Sequence, residues 1–195
     1  MAGSGAVSAR VFLDKNLNGV MDGGDEAIPN AGFTINGSNH PARTDGAGVA
    51  WLGKLAPDQY VDIGLDSATV EDPQWQPRRK GVRLLPRPGK ISELEFAVIV
   101  TGEIDGTAYL SDAGVRRGAG DIELELVDEQ GALAASATSG ADGYYIVTAV
   151  APGQYQLRVA PAQLARLKLR ADAAHAITIR RDGNVVSGKD FVVAP

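Results

Sequence analysis

The chain has 195 residues, 44% hydrophobic and 22% charged, with a net charge of −5 and no cysteine. This is ordinary composition for a soluble globular protein. It excludes disulfide scaffolds, thiol catalysis and cysteine-ligated zinc, and gives nucleic-acid binding no electrostatic support. The one basic cluster, Arg78-Arg79-Lys80, is too small to reverse the acidic balance. No apolar run reaches the roughly 18 residues that a membrane span needs, so no membrane insertion is expected.

Residues 1–5 have neither the charge nor the apolar core of a signal peptide and read as an appended leader. After them come short runs rich in β-branched and aromatic residues, bounded by Gly, Pro, Asn or Asp: "ARVFL", "FTIN", "GVAWLGKL", "QYVDIGL", "VRLLP" and "ELEFAVIV". Such runs predict strands. A second series follows: "EIDGTAYL", "DIELELVD", "ALAASATS", "GYYIVTAV", "QYQLRVA", "HAITIRR" and "KDFVVA". In "IELELV", Ile122, Leu124 and Leu126 point one way while Glu123 and Glu125 point the other. "DEQG" and "RDG" predict tight turns, and only "PAQLARLKL" (161–169) has helical spacing.

The two series are copies of each other. "DGAGVAWLGKLAPDQYVDIGL" (45–65) parallels "GADGYYIVTAVAPGQYQLRVA" (140–160), with Gly48 matching Gly143, Pro57 matching Pro152 and Tyr60 matching Tyr155. The same offset of 95 takes Phe96 to Phe191, while "ARVFLD" answers "GTAYLS" at 97, a two-residue length difference. The expectation is an all-β chain of two tandem seven-stranded Greek-key sandwiches, prealbumin- or Ig-like, covering 6–100 and 101–195. "DGYYIVTAVAPGQYQLRV" resembles the carboxypeptidase regulatory-like and transthyretin-like signature; the first copy is looser, with Asp58 where Gly153 stands in the second. Tyr60 and Tyr155 are read as core or corner residues.

"LDKNLNGVMDGGDEAIPNAG" (13–32) carries the most ordered chemistry. Counting from Asp14, oxygen-bearing side chains fall at Asn16 and Asn18, glycine at Gly19, a backbone carbonyl at Val20, and carboxylates at Asp22 and Asp25. This is the register by which a tight loop turns six or more hard oxygens onto one Ca2+ ion. Asp25 is one methylene shorter than the usual closing Glu, and Glu26 is the alternative closing ligand. With strands on both sides, the stretch resembles the calcium-binding B-type repeats of bacterial surface adhesins, on Asp14, Asn16, Asn18, Gly19, Asp22, Ile28, Pro29 and Gly32. The second copy has "SDAGVRRGAGD" at this place, with Arg116 and Arg117 where ligands would be, so only the first copy is expected to bind. Related adhesin domains often carry a Lys–Asn isopeptide bond; the expected first strands lack Lys and the last strands lack Asn, so none is expected here.

No catalytic constellation is legible, and an enzyme is not expected. His40 and His175 lie in different copies without metal-ligand spacing, and no serine has a nucleophile-elbow context. Trp75, between prolines and followed by three cations, is either a binding lip for a glycan or protein or a side chain packed on the sandwich edge. That stretch also resembles tandem β-domains of outer-membrane, usher-like or surface proteins of Gram-negative bacteria. The sequence thus reads as a monomeric structural or display module of an exported or periplasmic bacterial surface protein. Its expected partners are neighbouring domains of a larger parent.

Overall fold

The computed structural model describes residues 3–195. Met1 and Ala2 of the expected leader lie outside the described residues, and its last member, Gly5, already begins the first strand. The chain divides into two compact units, Met1–Val100 and Thr101–Pro195. Each is an all-β sandwich. No helix among the described residues is long and apolar enough to cross a membrane.

The first unit runs β1 (Gly5–Leu13), β2 (Glu26–Ala27), β3 (Gly32–Ile35), β4 (Ser38–Arg43), β5 (Val49–Leu55), β6 (Val61–Asp66), a 3-10 turn (Ser67–Thr69), β7 (Trp75–Pro77), β8 (Val82–Leu84) and β9 (Ile91–Val100). One sheet centres on β1, which takes β5 and then β2 along one edge and lies parallel to β9 along the other. The second sheet has the order β4-β3-β6-β8. The β3–β4 hairpin stays in that sheet, β5 crosses to the first, and β6 returns to the free edge of β3, which is a Greek-key path. Alternation along β1 and β6 sends Val7, Ala9, Val11, Val61, Ile63 and Leu65 into the space between the sheets. Phe33 of one sheet meets Phe96 of the other edge-to-face at 5.7 Å, tying the layers at the core centre.

The second unit runs β10 (Gly102–Asp112), β11 (Val115–Gly118), β12 (Glu123–Asp128), β13 (Leu133–Thr138), β14 (Tyr144–Val150), β15 (Gly153–Val159), α1 (Pro161–Leu167), β16 (Arg170–Ala171), β17 (His175–Ile179), β18 (Val185–Val186) and β19 (Phe191–Ala194). Here β10 is central, with β14 and β11 on one edge and the parallel strands β18 and β19 on the other. The facing sheet has the order β13-β12-β15-β17. Leu124 and Leu126 are fully buried while Glu123 and Glu125 face outward, as the alternation predicts. Helix α1 begins with Pro161, whose fixed φ suits a first helical position, and ends at Lys168 in left-handed backbone. Its buried Gln163 accepts from the Glu123 N–H (2.9 Å) and donates to the Asp121 carbonyl (2.6 Å), pinning the helix to the start of β12.

The two units repeat one framework of hydrogen bonds. Val11 N–H donates to the Gly48 carbonyl in the first, and Ala108 N–H to the Gly143 carbonyl in the second, both at 2.8 Å. Gly48 (φ 73°) and Gly143 (φ 88°) have left-handed backbone, and a β-carbon on either would fall against the carbonyl oxygen of Val11 or Ala108. Only glycine satisfies both conditions. Four residues upstream sits a buried hydroxyl. Thr44 Oγ1 donates to the Ile28 carbonyl (2.7 Å) and accepts from Ala31 N–H (2.8 Å). Ser139 Oγ donates to the Ala119 carbonyl (2.7 Å) and accepts from Ile122 N–H (2.9 Å). Each clamp satisfies two backbone groups where the chain passes between sheets, out of reach of water.

These equivalences locate the length difference between the copies. From Val11 to Ile28 is 17 positions, and from Ala108 to Ala119 is 11, so the first unit is six longer there. From Ile28 to Thr44 is 16 and from Ala119 to Ser139 is 20, four shorter. The net two residues seen in the sequence are the difference of these. The six-residue excess falls in the loop that follows β1.

Candidate functional site

The excess forms a self-closed loop over residues 14–25. Asp14 continues from β1 and is buried, 2% exposed, with its N–H on the Val98 carbonyl of β9 (2.8 Å). Its carboxylate accepts from Asn18 N–H (3.1 Å) and Gly19 N–H (2.8 Å). Leu17 (φ 64°) and Gly19 (φ 81°) are both in left-handed backbone, which turns the chain sharply enough for these bonds to form. The Asn16 and Asn18 oxygens accept from the N–H groups two residues onward, at 3.0 and 2.8 Å. Val20, expected to offer its carbonyl, is exposed, and its N–H is the donor to Asn18.

Three expected ligands converge on one point. The side-chain amides of Asn16 and Asn18 both donate to Asp22 Oδ2, at 2.7 and 2.8 Å. The other Asp22 oxygen accepts from Gly24 N–H (3.0 Å). That backbone bond first, and then the two amides, hold the Asp22 carboxyl below its ordinary value. Asp25 Oδ1 accepts from Lys15 N–H (2.9 Å) and Oδ2 from Asp22 N–H (3.0 Å), closing the loop on its own beginning. Glu26 instead pairs with Lys15 Nζ at 3.1 Å. Among the described residues, no three His, Cys, Asp or Glu side chains are grouped to hold a metal; the acids here are interleaved with amides.

One cation is already beside the loop. Arg78 Nη1 donates to the Leu17 carbonyl (2.9 Å) and stands 3.7 Å from Asp14 Oδ2. Its neighbours Asn18, Gly19, Glu93 and Glu95 line an open depression of about 510 Å³. The guanidinium balances the charge of the buried Asp14 carboxylate.

The second unit has a short hairpin at this place. Ala113 (φ 46°) and Gly114 (φ 80°) make a two-residue turn between β10 and β11, the type whose twist matches paired strands. Arg116 lies over the Tyr109 ring, 3.8 Å from its centroid. Ser111 occupies the position of Asp14 and pairs with Arg116, and Arg117 pairs with Leu110 in the same hairpin.

Of the aromatic residues read as core or corner, Tyr155 agrees with that expectation and Tyr60 departs from it. Tyr155 is half-buried and donates its hydroxyl to the Ala151 carbonyl (2.9 Å), a corner arrangement. Tyr60 is 70% exposed and belongs to neither core nor corner; it lies just before β6, which begins at Val61, whereas Tyr155 lies inside β15, which begins at Gly153. Trp75 is half-buried, packs against the first core and pairs with Val100. The tryptophan more open to solvent is instead Trp51 on β5, 55% exposed, its neighbours Ala50 and Leu52 being buried. The alternation in "VAWLGKL" carries that signal, which the stronger appearance of Trp75 masked. His40 Nδ1 accepts from Ala42 N–H, and His175 Nε2 bonds the Asp190 carbonyl while its ring meets Phe191 edge-on.

Comparison with known proteins agrees with the fold. Residues 100–194 match the family described as "BOS complex subunit NOMO1-like, second beta sandwich domain", so the likeness covers the second unit up to residue 194 and the residue before it. No curated protein matches the sequence. Among solved structures, the Bacillus anthracis TIE protein is similar at 16% identity and a TM-score of 0.41, over 98% of this chain and 34% of that one. The chain therefore spans about a third of that protein's length. The minor pilin GBS52 of Streptococcus agalactiae is similar at 12% identity and 0.44, over 98% and 97% of the two chains. The shaft pilin SpaA of Lactobacillus rhamnosus GG follows at 11% and 0.36, with 98% coverage of each. At TM-scores below 0.5 these likenesses carry no argument about this chain.

Proposed function

We propose that the chain is a non-catalytic structural or display module of an exported surface protein, in which calcium stiffens the first sandwich. The observation that carries this reading is the convergence of Asn16, Asn18 and Asp22 within hydrogen-bond distance, inside a loop that the sister unit lacks. Calcium would be held by the oxygens of Asp14, Asn16, Asn18, Asp22 and Asp25 and the Val20 carbonyl. Both amides would then turn their oxygens, rather than their N–H groups, toward the centre. An amide presents either end at little cost in shape. The chemistry supplied is charge neutralisation: three carboxylates share a dication instead of relying on Arg78 and backbone N–H groups.

A framework that folds without the loop, as the second unit does, makes the loop an addition that braces one end of the first sandwich. With three carboxylates and a flexible surround, the site belongs with the weaker extracellular class, dissociating at about 10⁻⁵ to 10⁻³ M. Isothermal titration tests this directly. The account predicts one calcium per chain, magnesium binding much more weakly, and loss of the signal in Asp22→Asn. A chain that takes up no calcium at millimolar concentration contradicts it.

A further inference from the structure

We propose that the outer face of the first unit's β1 sheet carries a binding trough for an acidic saccharide, centred on Trp51. The trough has a floor and two walls. Ala6 of β1 and Gly53 of β5 supply the floor, and Trp51 and Ile91, 55% and 60% exposed, rise on either side. A β-carbon on Gly53 would stand 3.0 Å from Trp51 Nε1 and 3.5 Å from Cδ1, so the Nε1 edge of the indole leans over the glycine. The depression measures about 610 Å³, within the range of small-molecule sites.

Charge narrows the occupant. Lys54 and Lys90 line the trough, with His40 at its rim, and no acidic side chain does, although the chain as a whole carries −5. Glu93 and Glu95, further along β9, line a different depression, and Glu95 faces Arg10 at 3.7 Å. A cationic corner on an acidic protein favours an anion locally.

Shape narrows it further. β5 and β9 flank β1, so the walls stand two strand spacings apart, about 10 Å between backbones and less between side chains. An α-helix with its side chains, about 10–12 Å across, is too wide. The floor itself offers no strand pairing, because β1 is hydrogen-bonded along both edges. A sugar ring fits both conditions. Its C–H face stacks on the electron-rich indole, and a ring carboxylate reaches the lysine ammonium groups in charge-assisted hydrogen bonds.

The test is a titration of the whole chain with an oligogalacturonate, run with a chelator present so that its outcome is independent of the calcium reading. Calorimetry follows every variant, and tryptophan emission follows the Trp75→Phe chain, in which Trp51 is the sole indole. The proposal expects saturable binding with an emission change in Trp75→Phe, loss of binding in Trp51→Ala, and at least a fivefold weakening in Lys54→Gln/Lys90→Gln. Trp51 and both lysines are exposed, so these variants should retain the parent's melting temperature, which is checked alongside. Absence of binding at millimolar saccharide, binding undiminished in Trp51→Ala, or equal binding of a neutral cello-oligosaccharide would each overturn it.

Discussion

The ring of Tyr155 lies across Gly153: a β-carbon there would stand 3.1 Å from the phenol oxygen and 3.2 Å from two ring carbons. The bare glycine lets the ring fold back so that its hydroxyl reaches the Ala151 carbonyl. In the first unit the equivalent pair is Asp58 and Tyr60. Asp58 has a β-carbon and left-handed backbone (φ 58°), and Tyr60 stands in solvent. The corner is present where the residue two before the tyrosine is a bare glycine and absent where it is Asp58 in left-handed backbone. Gly153→Ala is therefore expected to expose Tyr155 and destabilise the second unit by about 1 kcal/mol, the worth of the lost hydrogen bond. Tyr155→Phe should cost about the same, and the double variant no more than either alone. Urea denaturation of the whole chain measures all three.

The matched glycines should be far less forgiving. Gly143→Ala puts a β-carbon against the Ala108 carbonyl in backbone that L-residues resist. The expected loss is about 3 kcal/mol or more, from strain and the broken strand contact together. Gly48→Ala, against Val11, should act alike on the first unit. A melting curve with one transition lowered and the other unmoved is the expected pattern.

The hydroxyl clamps give a smaller, graded effect. Thr44→Val keeps the shape and removes the donor to Ile28 and the acceptor for Ala31 N–H. Leaving two buried backbone groups unpaired should cost about 2–4 kcal/mol. Ser139→Ala should do the same in the second unit, and hydrogen exchange at Ile122 should accelerate, since that amide loses its acceptor.

Alkali should act through Tyr145. Its hydroxyl donates to the Lys189 carbonyl, and burial first, then the charges of Asp190 and Asp105, raise it well above the ordinary phenol value. The unfolded chain gives up this proton near pH 10, before the folded one does. The group's contribution is therefore fully present below about pH 10 and is lost as pH rises beyond it. Tyr145→Phe should flatten that part of the stability–pH curve between pH 10 and 12, measured by denaturant midpoints.

Much of this fold was legible because its turns and core depend on local pattern. The repeated glycine at 48 and 143 marks a left-handed turn, and the alternation in 122–126 marks a half-buried strand. The loop at 14–25 was legible for the same reason: its Asx turns join residues two to five apart. What was hidden depends on distant partners. Arg78 reaches Asp14 across 64 positions of sequence, and nothing in the loop's own spacing announces it. The exposure of Tyr60 accompanies a single glycine-to-aspartate difference whose meaning lies in where a ring can rest. Trp51 was concealed because a tryptophan between apolar neighbours reads as core, although its parity in the strand puts it outside.

The most direct test of the central claim is the melting temperature of the first unit's transition in chelator and at rising calcium, for the parent chain and for Asp22→Asn. At a hundredfold excess over the dissociation constant, binding adds about 2.7 kcal/mol. For a domain of this size that is a rise of about 10 °C or more. The account predicts that rise in the parent, no shift in the variant, and no change in the second unit's transition. A first transition that stays fixed from chelator to about 10 mM calcium, or one that rises equally in Asp22→Asn, would contradict it.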